Sequence, residues 1–579
     1  MCGIAGFNFQ VNNEYILNKL YHRGPDEKTL WNDGCFIFFH TRLAIQDAKK
    51  GHQPFCFKNY LIVFNGEIYN HLELRKNLNV SWKTNSDTET LLHLYLHYGE
   101  KMFDFIDGMF AFAIYDKKKK KLFLARDRAG KKPLYIYQKG NKFGFASEIN
   151  VFKFLDLDID GEDIRLFLST GFCESGYKEI KEFPPGHYGY FDGKLDIKSY
   201  FNIIDFYSEE KIALNDGIEL VENNLITAVK NRIISSDVEV GAFLSGGIDS
   251  GLVVAIASKY TKLRTFTVRF NDQFDESELA KLTAKKYGME NVVIDVKIDF
   301  SEIRKIILNY GKPFFDSSAI PSYFVSKEAG KYVKVILNGD GADEIFAGYR
   351  RYVPLFYNLD KFVSFFNFLL FLFKSDSRGL KMFIYRLLRA SNKKGIRWYN
   401  VLLNDLFEDV YEINGKKIKY VDNFIKNLQF NNFEKLLILD FLFNLRYDLL
   451  PKMDIATMSN SLEGRSPFLS KYMLETAPRI KTKIKHFQTK YILRTIAKKY
   501  LPQDVVNTKK RGFEIPLTKW VNNELKEMIM DYLNYGFYKN FIDKKLVDNL
   551  INRKINLPED KRAKILYLLF SLELWKVGK

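Results

Sequence analysis

The sequence predicts an α/β protein in two parts, and three observations carry that prediction. Residues 1–200 hold many short apolar or alternating runs separated by turns, the pattern of a sheet-rich domain. From residue 217 the period changes, and strand-like and helix-like runs alternate as far as residue 337. That alternation predicts a doubly wound parallel sheet with helices on both faces. At the head of the second part, residues 238–258 read as a short apolar strand, a loop of small residues and a buried helix.

Length and charge narrow the classes. At 579 residues the chain is too long for one core. The net charge of +18 could suit nucleic acid or a membrane surface. The basic residues are spread along the whole chain, however. The one dense run, 117–121, lies between two apolar runs and reads as an exposed hairpin loop, so no nucleic-acid partner is expected. The apolar stretch 362–373 is shorter than a membrane span needs and reads as a buried or interfacial helix. The four cysteines show no zinc or redox spacing. With no basic, apolar leader at the start, the expectation is a soluble cytoplasmic protein. Cys35, Cys56 and Cys173 read as buried structural thiols.

In chain order, residues 34–40, 61–64, 110–115, 121–125 and 133–137 read as strands, and 68–78 and 87–98 as helices. Two stacked sheets with flanking helices fit that mixture. Residues 190–215 carry no strong pattern apart from polar turns, which places a linker at 201–216 between a first domain, 1–200, and a second, 217–579. In the second, 219–231, 252–260, 276–287, 301–310 and 319–328 read as helices, and 238–244, 263–270, 292–298 and 333–337 as strands. Beyond 350 the chain reads as largely helical, with aromatics at core spacing.

Two stretches carry chemistry. Met1 precedes a small residue, so its removal would expose Cys2 with a free α-amine beside its thiol. Ordinary pKa values of about 8 and 8.5 let that amine activate the sulfur as a nucleophile. The loop Ser245, Gly246, Gly247, Ile248, Asp249, Ser250 presents glycines, hydroxyls and a helix N-terminus, which suit an anion. It lacks the Gly-Lys-Ser/Thr ending of a P-loop, and Asp249 would repel phosphate unless a cation intervenes. This points to a magnesium–pyrophosphate unit. Asn338 to Glu344 falls at another predicted strand end, where Asp340, Asp343 and Glu344 form an acidic cluster suited to Mg2+.

Further motifs accompany Cys2: residues 22–26 (His-Arg-Gly-Pro-Asp), 41–47 (Thr-Arg-Leu-Ala-Ile-Gln-Asp), 65–70 (Asn-Gly-Glu-Ile-Tyr-Asn) and 86–90 (Ser-Asp-Thr-Glu-Thr). With Cys2 this set resembles the glutaminase domain of class II glutamine amidotransferases, an αββα N-terminal-nucleophile fold. Residues 125–134, 146–148, 184–187, 451–469 and 490–494, with the loop at Ser245, make the whole chain similar to the glutamine-dependent asparagine synthetases. The resemblance implies that Cys2 attacks glutamine while Asn65 and Gly66 bind the oxyanion. It implies that Arg42 pairs with the glutamine α-carboxylate and that Asp87 and Glu67 accept from its ammonium, with Leu43 and Ile45 in the same pocket. For ATP it implies Leu244, Ser245, Gly246, Gly247, Asp249, Ser250, Val268, Asn338 and Gly339, with Mg2+ on Asp249 and Asp343. Lys490 would neutralise charge on the transferring phosphate, and Asp340 would lie near the intermediate. Asp340 and Asn338 replace the usual glutamate and serine, and Gly464 and Ser470 the usual alanine and aspartate. The implied acceptor is aspartate; another carboxylate, such as a uronic acid of surface polysaccharide, is the alternative. Cys2 speaks against β-lactam closure. A homodimer is also implied.

Overall fold

The computed structural model describes residues 2–578 apart from 270–276, 296–297, 361–364, 366–369, 374–378 and 509–514. The first part holds β1 (Cys2–Phe7), β2 (Glu27–Asn32), β3 (Ile37–Arg42), β4 (Phe55–Phe57), β5 (Tyr60–Ile68) and β6 (Gly108–Asp116). It continues with β7 (Lys121–Arg126), β8 (Tyr135–Lys139), β9 (Lys142–Ala146), β10 (Ile180–Glu182), β11 (His187–Phe191) and β12 (Leu195–Ser199). These form two sheets, ordered β10-β8-β9-β1-β3-β2 and β12-β11-β7-β6-β5-β4. Ile4 and Phe38 of the first sheet and Val63 and Ala113 of the second share one buried layer between them. Helix Asp87–Tyr98 supplies Leu91 and Leu92 to the core on the outer face of the second sheet. Helices Asn13–Leu20 and Gly161–Thr170 bury Leu20 and Phe167 in the core that holds Phe7 and Phe39 of the first. The result is the expected αββα stack. β1 and β3 are interior strands covered on both faces, which is why they are buried throughout.

The second part is built on β13 (Val240–Phe243), β14 (Arg264–Arg269), β15 (Glu290–Asp295), β16 (Val335–Leu337) and β17 (Glu463–Arg465), all parallel in the order β15-β14-β13-β16-β17. The chain steps outward from β13 through β14 to β15, then returns to the other side of β13. The order reverses between β13 and β16, and a crevice opens beyond the carboxyl ends of those two strands. Helix Ile248–Ala257 follows β13 and buries Leu252, Val254 and Ile256 completely in the largest core cluster.

Several expectations need correction. β17 was not foreseen, because Glu-Gly-Arg carries no apolar period; buried partners for its two charges place it beside β16. The helix expected at 252–260 starts earlier, at Ile248, since Gly247 is already its cap. The helix expected at 68–78 shrinks to His71–Arg75, because β5 runs on to Ile68. Residues 201–216 are not patternless: helix Ile203–Ser208 sits there with Ile203 and Tyr207 buried, and helix Leu214–Ile234 begins within it. Of the three extra cysteines only Cys173 is buried; Cys35 is half-buried in a turn, and Cys56 points outward from edge strand β4. Most of 362–373 lies outside the described residues. No helix among the described residues is long and apolar enough to cross a membrane.

The two parts meet along a buried polar seam. Arg465 of β17 donates to Glu67 of β5 at 3.0 Å, to Glu463 at 2.6 Å, and to the Arg232 carbonyl and Ser235 hydroxyl at 2.6 and 2.8 Å. Its side chain is fully buried. Breaking such a buried pair leaves a stranded charge and costs about 3–5 kcal/mol. Arg465→Met is therefore expected to lower the thermal midpoint by several degrees, read by calorimetry, with a much smaller loss for Arg479→Met, whose ion pair with Glu209 is exposed.

Candidate functional site

The first cluster forms where the two stacked sheets face each other. β1 and β3 pair with Cys2 opposite Arg42. β5 of the facing sheet brings up Asn65, whose Oδ1 accepts from the Cys2 main-chain N–H at 3.2 Å. Among the described residues the buried Asn65 side-chain NH2 has no acceptor. An unsatisfied buried donor is costly; beside a sulfur nucleophile it is placed for an oxyanion. At Gly66, φ is 156° and a side chain would overlap the Met109 carbonyl, so only glycine fits. Burial pushes the Cys2 thiol up, partly offset by a hydrogen bond with the Leu43 main chain and by the Arg42 charge.

Two carboxyls line the same place. Asp87 opens helix Asp87–Tyr98, capped by Ser86, and accepts from the Ile68 N–H at 2.9 Å. Burial pushes Asp87 up to about 6, and burial together with the Asp87 charge holds Glu67 well above the carboxylate range. Leu43 and Ile45 are buried beside Tyr69 and Met109. Arg42, paired opposite Cys2, has partners in its own stretch of chain. Its guanidinium donates to the carbonyls of Gln46, Asp47 and Ala48 at 3.0, 2.7 and 3.1 Å, so it also holds the loop after β3 in place.

The second cluster is the crevice at the strand-order reversal, a cavity of about 470 Å³. Leu244, Ser245, Gly246, Gly247, Asp249, Ser250, Val268, Asn338, Gly339, Asp340, Asp343 and Lys490 all line it. Helix Ile248–Ala257 enters without a side-chain cap, so its positive end is turned to the cavity. Ser245 and Ser250 do not point apart as free donors; their hydroxyls bond each other at 2.9 Å and brace the turn. The loops after β13 and β16 touch: a Cβ on Gly339 would lie 3.1 Å from the Asp249 Cβ. Lys490 sits in the left-handed region at φ 53°, with its ammonium between Asp249 and Asp343, the latter at 2.6 Å. Those two carboxylates hold Lys490 above its usual value against the burial that lowers it. Among the described residues the buried Oδ1 of Asp249 has no hydrogen-bond partner.

Between the clusters lie residues to which sequence reasoning gave no role, although their motifs were recognised. Arg23 donates to Glu148 at 2.9 Å, to Asp454 at 2.8 Å, and through Nε to the Cys2 carbonyl at 3.2 Å. Lys132 reaches Asp454 at 3.3 Å, and burial pulls Lys132 down to about 8. Burial pushes Glu463 up, but the charges of the N-terminal amine, Arg465 and Lys132 and the Arg465 hydrogen bond outweigh it and hold Glu463 down at about 2. The available signal was that these charges all stand inside the recognised motifs at 22–26, 125–134, 146–148 and 451–469; which of them pair when buried is set by the fold.

Comparison with known proteins adds an independent line. Residues 1–201 match the glutamine amidotransferase domain family and residues 220–577 the asparagine synthase family. The chain is 33% identical to asparagine synthetase [glutamine-hydrolyzing] 1 of Bacillus subtilis (strain 168), over 99% of this chain and 96% of that protein. It is 29% identical to asparagine synthetase [glutamine-hydrolyzing] 3 of the same organism, over 95% and 93% of the two chains.

The Lys490 arrangement depends on a neighbouring glycine. A methyl on Gly348 would overlap Asp343 Oδ1 and Lys490 Cε. Gly348→Ala is expected to cut ATP-dependent pyrophosphate release by at least about tenfold while leaving glutamine hydrolysis intact, since displacing positioned groups by about 1 Å costs that much or more.

Proposed function

The chain belongs to the asparagine synthase family, among its glutamine-hydrolysing members, and from that premise we propose how its two sites divide the work. The protein is a ligase that makes asparagine. Glutamine is hydrolysed to glutamate and ammonia, and aspartate is activated by ATP as β-aspartyl-AMP with release of pyrophosphate. Ammonia then displaces AMP.

In this reading Cys2 attacks the glutamine amide, and the developing oxyanion takes the Asn65 NH2 and the Gly66 N–H. Arg42 offers its positive charge to the α-carboxylate, Asp87 and Glu67 take the ammonium, and Leu43 and Ile45 wall the pocket. The observation that carries the glutaminase half is the buried, unpartnered Asn65 amide beside Cys2. ATP lies in the crevice, its base against Leu244, Val268, Asn338 and Gly339 and its phosphates on Ser245, Gly246, Gly247 and Ser250. Lys490 offsets charge gathering on the phosphate as the bond to pyrophosphate breaks, and Asp340 stands near the acyl-adenylate.

Asp249 and Asp343 both face the Lys490 ammonium, and among the described residues a buried oxygen of Asp249 has no hydrogen-bond partner. Hard oxygen donors so placed fit Mg2+, and these two residues would hold it. When bound, the ion screens phosphate charge. A homodimer and a cytoplasmic setting are carried over from the family resemblance; sedimentation tests the first.

Two experiments test the division. Wild type and Cys2→Ala are assayed for asparagine and pyrophosphate with glutamine or ammonium as nitrogen donor, and with aspartate or a uronate as acceptor. The wild type is expected to amidate aspartate and not the uronate. Cys2→Ala should lose only the glutamine-driven reaction; loss of both reactions refutes two separable sites. The second experiment is a pH series. Asp87 titrates at about 6. Above that pH it is a carboxylate and pairs with the glutamine ammonium; below it the carboxyl is neutral and the pairing is lost. The KM for glutamine should rise as pH falls through about 6, while the KM for ATP stays flat. Asp87→Asn should show the high KM at every pH.

A further inference from the structure

We propose that Lys131, a residue of the glutaminase half, is a positioning residue for the synthetase half. It fixes the Asp340 carboxylate in the ATP crevice, where that carboxylate takes the proton released when ammonia aminates the acyl-adenylate. The proposal rests on the function proposed above.

The turn that carries Lys131 is built to hold still. The Asp127 carboxylate accepts from the main-chain N–H groups of Phe110, Ala129, Lys131 and Lys132 at 3.1, 3.1, 2.8 and 2.9 Å. Arg126 closes it from the other side, donating to the carbonyls of Gly130 and Lys132 at 2.9 and 2.7 Å. Two consecutive lysines leave this buried turn and cross the seam to different partners. Lys132 goes to Asp454 and Lys131 to Asp340, each at 3.3 Å. The Lys131 side chain is only 4% exposed, and Asp340 is the ion-pair partner it reaches. An ammonium is not buried without such a partner, so this contact ties the glutaminase half to a wall of the other half's cavity.

Asp340 differs from the acidic groups around it. Asp249 and Asp343 both hold Lys490, and Glu344 accepts from the Tyr349 hydroxyl. Lys452 also faces Asp340 but is itself fixed by Asp316 and Ser318 at 2.8 and 3.0 Å. Among the described residues Asp340 is therefore the cavity carboxylate not tied to Lys490 or Tyr349, and its position is set from outside its own domain.

Amination requires a base. As the ammonia nitrogen bonds to the acyl carbon, the bond from that carbon to the AMP oxygen breaks and AMP leaves with the electron pair. One N–H proton must then leave the nitrogen to give the neutral amide. The Asp340 carboxylate receives that proton, and Lys131 offsets its charge among the neighbouring acids without competing for the substrate.

The test uses the full chain with Lys131→Met, Lys131→Gln and Lys131→Arg, measuring asparagine, glutamate and pyrophosphate under glutamine and under ammonium. Met and Gln are expected to lower kcat for asparagine at least about tenfold with either nitrogen source, as loss of a placed proton acceptor does. The KM for ATP and the rate of glutamine hydrolysis should hold, so the glutamate-to-asparagine ratio rises, and Arg should restore most of the rate. Unchanged asparagine kcat in Met and Gln overturns the proposal. So does a parallel loss of glutamine hydrolysis, which would reduce Lys131 to a brace for its turn, or an Arg variant no better than Met. A wild type that makes no asparagine from aspartate overturns the underlying function instead.

Discussion

The structure depends on charges buried between its two halves. Arg465, from the last strand of the parallel sheet, reaches Glu67 on the strand that also carries Asn65 and Gly66. Arg23 binds both Glu148 of its own half and Asp454 of the other while donating to the Cys2 carbonyl. Such pairs gain little net stability, because desolvation offsets the attraction. What they do is penalise every other arrangement. A small sliding of one half over the other would strand several charges in a dry interface at once. The halves are thereby held in one register, and the register fixes Cys2 relative to the crevice.

Within the second half the decisive constraint is topological. Because the chain returns to the far side of β13 after β15, two loops emerge side by side with no strand between them. Their contact at Gly339 and Asp249 brings two acidic residues onto one lysine from a helix far along the chain. The absence of a lysine in the loop after β13 and the presence of Lys490 are two sides of one solution. The loop after β13 has no lysine of its own, and the cation beside Asp249 comes from Lys490 across the cavity.

Mixed burial explains which sequence expectations held and which did not. Where one residue type at one period decides the outcome, the reading was sound: β5, β6 and β7 lie where the apolar runs are, and helix Asp87–Tyr98 begins at its Ser86 cap. Where burial is satisfied by a distant partner, it failed. Glu463 and Arg465 are too polar to read as a strand, yet they are buried because they satisfy each other. Residues 201–216 read as linker because their apolar positions follow no clear period; Ile203 and Tyr207 find their place once a core is present to receive them. Cys56 read as buried by residue type, but an edge strand left it outside.

The sequence by itself determined the chemistry: a cysteine at position two, an asparagine–glycine pair, a small-residue loop with an aspartate, and a lysine motif near the end, each specific because few residue types perform those tasks. It also determined the alternation that makes the second sheet parallel. Tertiary structure alone decided who meets whom. That Lys131 leaves one domain to hold Asp340 in the other, that Arg42 braces its own loop, and that Ser245 and Ser250 bind each other follow from no local pattern. A long-range polar contact is specified by the cost of leaving either partner buried alone, and that cost exists only once the chain has closed around both.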